Sequence, residues 1–287
     1  MTPKISVVIC AYNAGKVIHV VLDSLKKQTF KDFEVIVVND GSNDNTKEIA
    51  ASYGVKVKNM PRIGLSRARN TGINAANADI VAIIDADCHA DENWLNEIYE
   101  TIKVNKVVSG CTKIPKSTIL GDSISALGYP GGAHLGFEKM WKVIDGYTDH
   151  LAGGNCAFIK KIVQDIGAFN PKLTITADDV FLSHKLIEND IKIKYNPNMI
   201  MTHPARYKLK DFITWHFNRG KGNYFFKKEI KNVNKYVHLK IWQTKNIIKY
   251  NLTNPRFPLI FILLFLSYII QTIGFYKQKL FGGKLFC

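Results

Sequence analysis

Cysteine is sparse and unpatterned in this chain. Its 287 residues include five, Cys10, Cys88, Cys111, Cys156 and Cys287. The set is odd in number and has neither a CxxC pair nor a Cys/His spacing suited to structural zinc. A disulfide framework and a zinc module are therefore excluded as organising devices, and reduced thiols in a cytosolic compartment are the simplest reading. The opening MTPK leads into a short apolar run, Ile5 to Cys10. That run lacks the length and flanks of a secretory signal, so the N-terminal portion is expected to stay in the cytoplasm. A glycine-rich, lysine-containing phosphate loop is also missing, which counts against a nucleotidyltransferase of that type. With 46% hydrophobic and 22% charged residues, nothing indicates disorder or collagen-like repetition. The chain can bury one main core with something appended.

Acid is what the C-terminal third lacks. Residues 1–205 are nearly balanced, with 23 Lys/Arg against 22 Asp/Glu, whereas residues 206–256 carry 13 Lys/Arg against only Asp211 and Glu229. The tail beyond 275 adds Lys277, Lys279 and Lys284 with no acid. A basic region attracts nucleic acid or an anionic membrane by the same long-range electrostatics. The neighbouring segment discriminates: residues 257–275, FPLIFILLFLSYIIQTIGF, hold no formal charge. A run of this length suits a bilayer core of about 30 Å. A buried core helix is the competing account, but the position beside a basic belt favours membrane contact. Pro258, Gln271 and Gly274 shorten the ideal stretch, so spanning, re-entrant and interfacial placements all stay open.

The first two hundred residues alternate apolar runs of strand length with segments of helical period, the pattern of a parallel α/β core. Strands are expected at Ile5–Cys10, Glu34–Val38, Val55–Asn59, Ile80–Ile84 and Val107–Cys111. Helices are expected up to Gln28, over Thr46–Ser52, and over 65–76 and 93–104. In open sheets of this kind ligands bind beyond the carboxyl ends of the strands. Three strands end there in polar clusters: Ala11-Tyr12-Asn13, Asp40-Gly41-Ser42 and Asp85-Ala86-Asp87.

Asp85 and Asp87, delivered directly after a strand, supply hard oxygen ligands for Mg²⁺ or Mn²⁺ bridging phosphates; a solvated turn would use the same residues. Asp40 can accept from a base's ring N–H, although Asp, Gly and Ser are also ordinary turn residues. Arg67 and Arg69 can present a guanidinium to diphosphate oxygens, with a solvated helix face as the alternative, preferred for Arg67. Asp178 and Asp179 open a segment of helical spacing. They fit helix-dipole stabilisation, or general-base work near a sugar hydroxyl. Gly153-Gly154-Asn155 lets backbone approach a ligand closely, as a tight turn also would, and Asn155 offers a donor and an acceptor. His203 is read as a further metal ligand or a polar strand end. Arg219 lies in a basic, aromatic stretch, 207–230, suited to phosphates and headgroups.

Taken in order, SVVICAYNAG, VIVVNDGSND, GLSRARNTGINAANADIVAIIDAD, LAGGNCAF and ADDVFLSHKL resemble the family 2 glycosyltransferases of GT-A fold, over roughly residues 4–205. The resemblance implies a mixed α/β nucleotide-binding sheet flanked by helices, and the charge and hydropathy pattern adds C-terminal amphipathic helices and the hydrophobic segment. It implies a nucleotide-diphosphate-sugar site with Ala11, Tyr12, Asn13, Asp40 and Arg69 around the nucleoside and phosphates, and Asp85 near ribose and metal. Asp87 would be the principal ligand of a divalent Mg²⁺ or Mn²⁺, Asp179 the general base, and transfer inverting. Gly154, Asn155, Asp178 and Arg219 are assigned to donor or acceptor sugar. Asp178 stands where the family often has Glu, and the QxxRW motif of processive members is absent, so a single addition is expected.

The chain is thus expected to divide into a catalytic domain (1–205), a basic membrane-surface segment (206–256), a transmembrane or re-entrant segment (257–275) and a basic tail (276–287). The expected activity is transfer from a UDP- or GDP-sugar to a lipid-phosphate or lipid-linked glycan at the cytoplasmic membrane face. A polysaccharide or protein acceptor, with the C-terminus only an anchor, is the alternative. A basic, non-catalytic nucleic-acid-binding protein is the rival from another class.

Overall fold

The computed structural model describes residues 2–173, 178–229 and 233–281, with the side chains of 229 and 233–236 left aside. The tail beyond 281, including Lys284 of the expected basic tail, lies outside the described residues. In chain order, the first elements are β1 (Ile5–Ala11), α1 (Ile18–Lys26), β2 (Phe33–Asp40), α2 (Thr46–Ser52), β3 (Lys56–Met60), α3 (Leu65–Ala75) and β4 (Ile80–Ile84). β5 (His89–Ala90), α4 (Trp94–Ile102) and β6 (Val107–Lys113) follow, then α5 (Ile119–Ser125), α6 (Phe137–Met140) and the hairpin β7 (Val143–Ile144) and β8 (Tyr147–Thr148). The rest are β9 (Asn155–Ile159), α7 (Lys160–Asp165), α8 (Asp178–Glu188), β10 (Ile193–Thr202), α9 (Leu209–Glu229), α10 (Val233–Asn251) and α11 (Phe257–Phe281).

Among the described residues, contacts group these elements into two units, 2–111 with 143–203, and 112–142 with 204–281. The second unit therefore includes residues 112–142, whereas the charge pattern places a single division at 205. In the first unit one sheet runs β3-β2-β1-β4-β9-β6-β10-β8-β7, with β5 pairing β10. The N-terminal part is parallel, as the alternating pattern predicts: β1 lies between β2 and β4, and β3 joins β2. Beyond β4 the sheet is mixed, as the resemblance implies and the alternating pattern alone does not, because β9 pairs antiparallel with both β4 and β6. A short apolar run buries equally well in either direction, so composition alone does not reveal orientation. The result is a mixed sheet.

Successive strand side chains serve opposite faces. On β1, Val7 and Ile9 join one core with Leu22, Leu25 and Trp94, while Val8 joins the other with Ile73, Phe158 and Phe169. Each fully buried aliphatic or Phe side chain contributes about 1.5–3 kcal/mol from apolar burial. α1 follows from this economy: Ile18, Val21, Leu22 and Leu25 are its buried stripe. α3 is seated unusually close to the sheet, since a Cβ on Gly72 would lie 2.2 Å from Val8 Cγ1. That close seat lowers Arg69, one turn earlier, into the rim of the sheet.

The second unit is helical. α11 packs chiefly against α9, with α5 and α10 as further neighbours. Two glycines make the α9–α11 crossing possible. A Cβ on Gly220 would lie 2.1 Å from Gln271 O, and one on Gly274 would lie 2.2 Å from Phe217 O. Backbone touches backbone there, the device that small residues permit in tightly packed helix pairs.

Candidate active site

The strand ends of the first unit bring most of the expected residues to one rim. β4 ends at Ile84 and delivers Asp85, and a turn closed by Cys88 N–H donating to Asp85 O at 3.2 Å carries the chain past Asp87. β5 then pairs with the end of β10, Thr202 opposite His89. This register sets His203 Nε2 3.9 Å from Asp87 Oδ2. Asp85, Cys88 and His203 present ligand-type atoms within 4.8 Å of one another. Cys88 is a buried thiol whose Sγ–H donates to Asp87 Oδ1 at 3.6 Å. The donors that remain are two carboxylates and an imidazole.

Arg69 is 3% exposed and bridges two acids. Its Nη1 donates to Asp178 Oδ2 at 2.6 Å and its Nη2 reaches Asp85 Oδ1 at 3.5 Å. The guanidinium also lies 5.2 Å from the Phe169 ring centroid, and its buried Nε–H has no hydrogen-bond partner. Burial alone would lower the Arg69 pKa. Asp178 and then Asp85 outweigh it and hold the group above its ordinary value. Asp178, itself buried, is pushed up by desolvation while Arg69 pulls against it. Asp179 differs. It is partly exposed, and one carboxylate oxygen accepts from Val180 N–H at 2.8 Å. The neighbouring acids at the start of α8 thus have unlike environments: Asp178 serves an ion pair, and Asp179 faces the rim.

The Gly153-Gly154 turn closes over this group. A Cβ on Gly153 would meet Arg69 Nη1 and Asp179 Cβ, each at 2.8 Å, and one on Gly154 would fall 2.0 Å from Asp85 Oδ2. Asn155 departs from its reading as a sugar contact. Its side chain is fully buried, accepting from Trp94 Nε1 at 2.8 Å and donating to Cys111 O at 2.9 Å and Met199 O at 3.3 Å. The amide is spent on holding α4, β6 and β10 together.

Beside this group is a pocket of about 190 Å³ lined by Cys10, Ala11, Tyr12, Asp40, Arg62, Leu65 and Ala68. Asp40 is 4% exposed, and its carboxylate accepts from Ile63 N–H at 2.9 Å and Gly64 N–H at 3.1 Å. It is thereby fixed as the pocket's acidic wall. Burial pushes the Cys10 thiol up to about 12, with Arg69 opposing, so that wall is uncharged. Arg62 lacked any motif, yet its guanidinium sits 3.1 Å from the Tyr12 ring centroid and 3.6 Å from Asp40 Oδ2. The available signal was its place as a lone cation between β3 and the Gly64 turn. Asn13, at φ 49°, donates its N–H to Ser42 Oγ and accepts from Asn43 N–H through Oδ1, both at 2.9 Å. Arg67 Nε donates to Pro171 O at 3.3 Å, a scaffold contact. Arg219 belongs to the second unit, on α9, with its guanidinium 4.8 Å from the Tyr129 centroid and 5.2 Å from that of Trp215.

Comparison with known proteins agrees with the fold. Residues 6–167 match the family model described as glycosyl transferase family 2. Glycosyltransferase AglE of Haloferax volcanii is 28% identical over 234 residues, 77% of this chain and 73% of that protein. The poly-β-1,6-N-acetyl-D-glucosamine synthase of Staphylococcus epidermidis is 28% identical over 205 residues, 68% of this chain but only 48% of the synthase. The solved mannosyltransferase PcManGT of Pyrobaculum calidifontis, in complex with GDP-Man and Mn²⁺, superposes with a TM-score of 0.62 at 17% identity, covering 99% of this chain and 89% of that one. A non-catalytic nucleic-acid-binding protein is no longer a tenable description. With a family match over more than half its length and the mixed sheet of that fold, the chain belongs to glycosyl transferase family 2, the GT-A nucleotide-sugar glycosyltransferases.

Proposed function

We propose that the protein is an inverting, non-processive transferase that moves one sugar from a UDP- or GDP-sugar to a lipid-phosphate or lipid-linked glycan at the cytoplasmic membrane face. The observation that carries the chemical part is the unlike pair Asp178 and Asp179. Asp178 is tied to Arg69, which leaves Asp179 as the rim carboxylate able to take a proton.

The donor's nucleoside lies in the pocket bounded by Ala11, Tyr12, Asp40 and Arg62, with Tyr12 offering a ring face for stacking. Arg69 fixes Asp85 and Asp178 relative to each other, so the site is preorganised before substrate arrives. The Gly153-Gly154 turn brings backbone to the sugar's edge. Asp179 accepts the acceptor hydroxyl's proton as its oxygen attacks the anomeric carbon, and the bond to the diphosphate breaks on the opposite face. One base suffices for this displacement, and the proton remains on the carboxylate until it exchanges with solvent.

The donor set suits a divalent cation. Asp40, Asp85, Asp87, Asp178 and Asp179 outnumber Arg62 and Arg69 around the rim, and Asp87 with His203 and Asp85 provides oxygen and imidazole donors. These residues would hold Mn²⁺ or Mg²⁺, which supplies neutralisation of charge on the departing diphosphate. The membrane part of the reading is supported by α11, the helix long and apolar enough to cross a bilayer among the described residues.

The test is release of nucleoside diphosphate by detergent-purified protein from UDP- and GDP-sugars, with Mn²⁺ or Mg²⁺ and a membrane lipid extract as acceptor. One donor is expected to turn over only with lipid. Asp179→Asn should still bind that donor yet lose turnover, and Asp87→Ala should lose the metal response. Donor binding without turnover on any lipid would defeat the acceptor assignment, and full activity of Asp179→Asn would defeat the mechanism.

A further inference from the structure

The side of α11 that faces protein and the side that does not are both well defined. Ile260, Leu263, Leu264, Ser267, Gly274 and Gln278 are buried and fall along one face of the helix. Phe261, Ile262, Phe265, Ile269 and Ile273 are between 41% and 64% exposed and form an apolar stripe on the other side. The helix is fastened along its length to polar, basic helices. Midway, the Tyr268 hydroxyl hydrogen-bonds Thr244 Oγ1 of α10. Further on, Gln271 Nε2 is 3.2 Å from His216 Nδ1 of α9, and Gln271 Oε1 accepts from Asn223 Nδ2 at 3.3 Å. At Gly220 and Gly274 the α9 and α11 backbones are in contact.

Wherever α11 goes, α9 goes with it, and α9 is not a membrane helix. Around the crossing it carries Arg219, Lys221, Lys227 and Lys228. Lys227 Nζ lies 5.8 Å from the Phe275 ring centroid of α11, and Lys277 of α11 reaches back to the Phe217 ring at 5.5 Å. Were α11 to span, its 271–277 stretch would stand toward the far side and draw this cluster of cations through hydrocarbon, which membranes reject. Were it to lie flat, the same cations would remain among headgroups while the apolar stripe sank beside the acyl chains. Charge favours the flat placement too, since residues 112–142 and 204–286 together hold 20 Lys/Arg against 4 Asp/Glu. Segments so basic in sequence complement an anionic leaflet.

We propose that α11 does not cross the membrane but lies in the plane of an anionic bilayer surface, with the Phe261, Phe265, Ile269 and Ile273 stripe sunk into a single leaflet. This rests on the membrane association proposed above and specifies its form: the protein sits on one face, and no part of α11 reaches the other.

The test is depth measurement on the full chain bound to vesicles of phosphatidylcholine and phosphatidylglycerol. Single nitroxide labels go at Phe261, Phe265, Ile269, Ile273 and Tyr276, and turnover in detergent verifies each variant separately. Similar shallow depths at all these positions are expected. Depth that rises to a maximum near Phe265–Ile269 and falls again toward Tyr276 marks a spanning helix and overturns the proposal. Absence of lipid contact at every position, with activity intact, overturns it as well while leaving the transferase reading standing; a second copy of the chain covering the stripe would give this result. Independently, Phe265→Asp should lower partition onto these vesicles about ten-fold or more and leave detergent activity unchanged. Unaltered partition would also overturn the proposal.

Discussion

Gly154→Ala adds one methyl group to the site and nothing else. The φ of Gly154 is outside the left-handed region, so alanine meets no backbone penalty there. Its Cβ would stand 2.0 Å from Asp85 Oδ2 and 2.4 Å from Asp85 Cγ. An unstrained contact needs about 3.5 Å, so the carboxylate or the turn must retreat by roughly 1.5 Å. Asp85 cannot move independently, because Arg69 Nη2 holds it and the same guanidinium holds Asp178. A misplacement of about 1 Å among reacting groups costs on the order of a hundred-fold in rate, equivalent to about 2.7 kcal/mol of transition-state stabilisation. Overpacking should cost the fold only about 1–3 kcal/mol. The assay is nucleoside-diphosphate release at varied donor and metal concentration, alongside thermal unfolding. A fall in kcat/KM of about a hundred-fold with a folded protein is expected. Gly54→Ala, whose Cβ would meet nothing within 4 Å but which sits at φ +72°, should lose stability and keep its rate. If Gly154→Ala retains its rate within about threefold, the reasoning about close approach to Asp85 is refuted.

Other outcomes follow from the same structure. Arg69→Met leaves Asp178 buried without its cation and should destabilise the protein by about 3–5 kcal/mol; adding Asp178→Leu should restore much of that, as read by denaturant unfolding. Gly220→Ala would put a Cβ 2.1 Å from Gln271 O, so the α9–α11 crossing should open and thermal stability in detergent should drop. His216 is held down to about 3 by burial, reinforced by Arg219, Lys240 and Arg206, so the native state stays unprotonated where the unfolded chain binds a proton. Its contribution to stability is therefore present above about pH 6.5 and shrinks as pH falls toward 3, by up to about 1.4 kcal/mol per pH unit. His216→Phe should flatten the stability-versus-pH curve in that window, and an unchanged slope would show that other groups govern it.

What was legible in the sequence was what depends on local pattern. Apolar runs marked β1, β2 and β4 to within two residues at each end, because buried parallel strands are continuous apolar segments. The polar residues following them had to fall on one rim, which is how Tyr12, Asp40, Asp85 and Asp87 were found together. The illegible parts depend on long-range pairing. Nothing in the Asn155–Ile159 run states that it opposes β4 antiparallel, or that the Asn155 amide will be consumed by Trp94, Cys111 and Met199. Arg62 is not legible because a lone cation in an irregular connection has no period; only the fold brings it over Tyr12.

The turns after β1 and β2 are laced to each other by more than the Asn13 contacts. Ala14 N–H donates to Thr46 Oγ1 at 2.8 Å and Gly15 N–H to Asp44 Oδ2 at 3.0 Å. Bonds of this kind, repeated over consecutive residues, turn two flexible connections into a single plate. A change in one turn must then be matched in the other before the plate closes again, so altered nucleotide preference here should arise through paired substitutions. Single exchanges can act more freely at Arg62, which touches the pocket from outside the lacing.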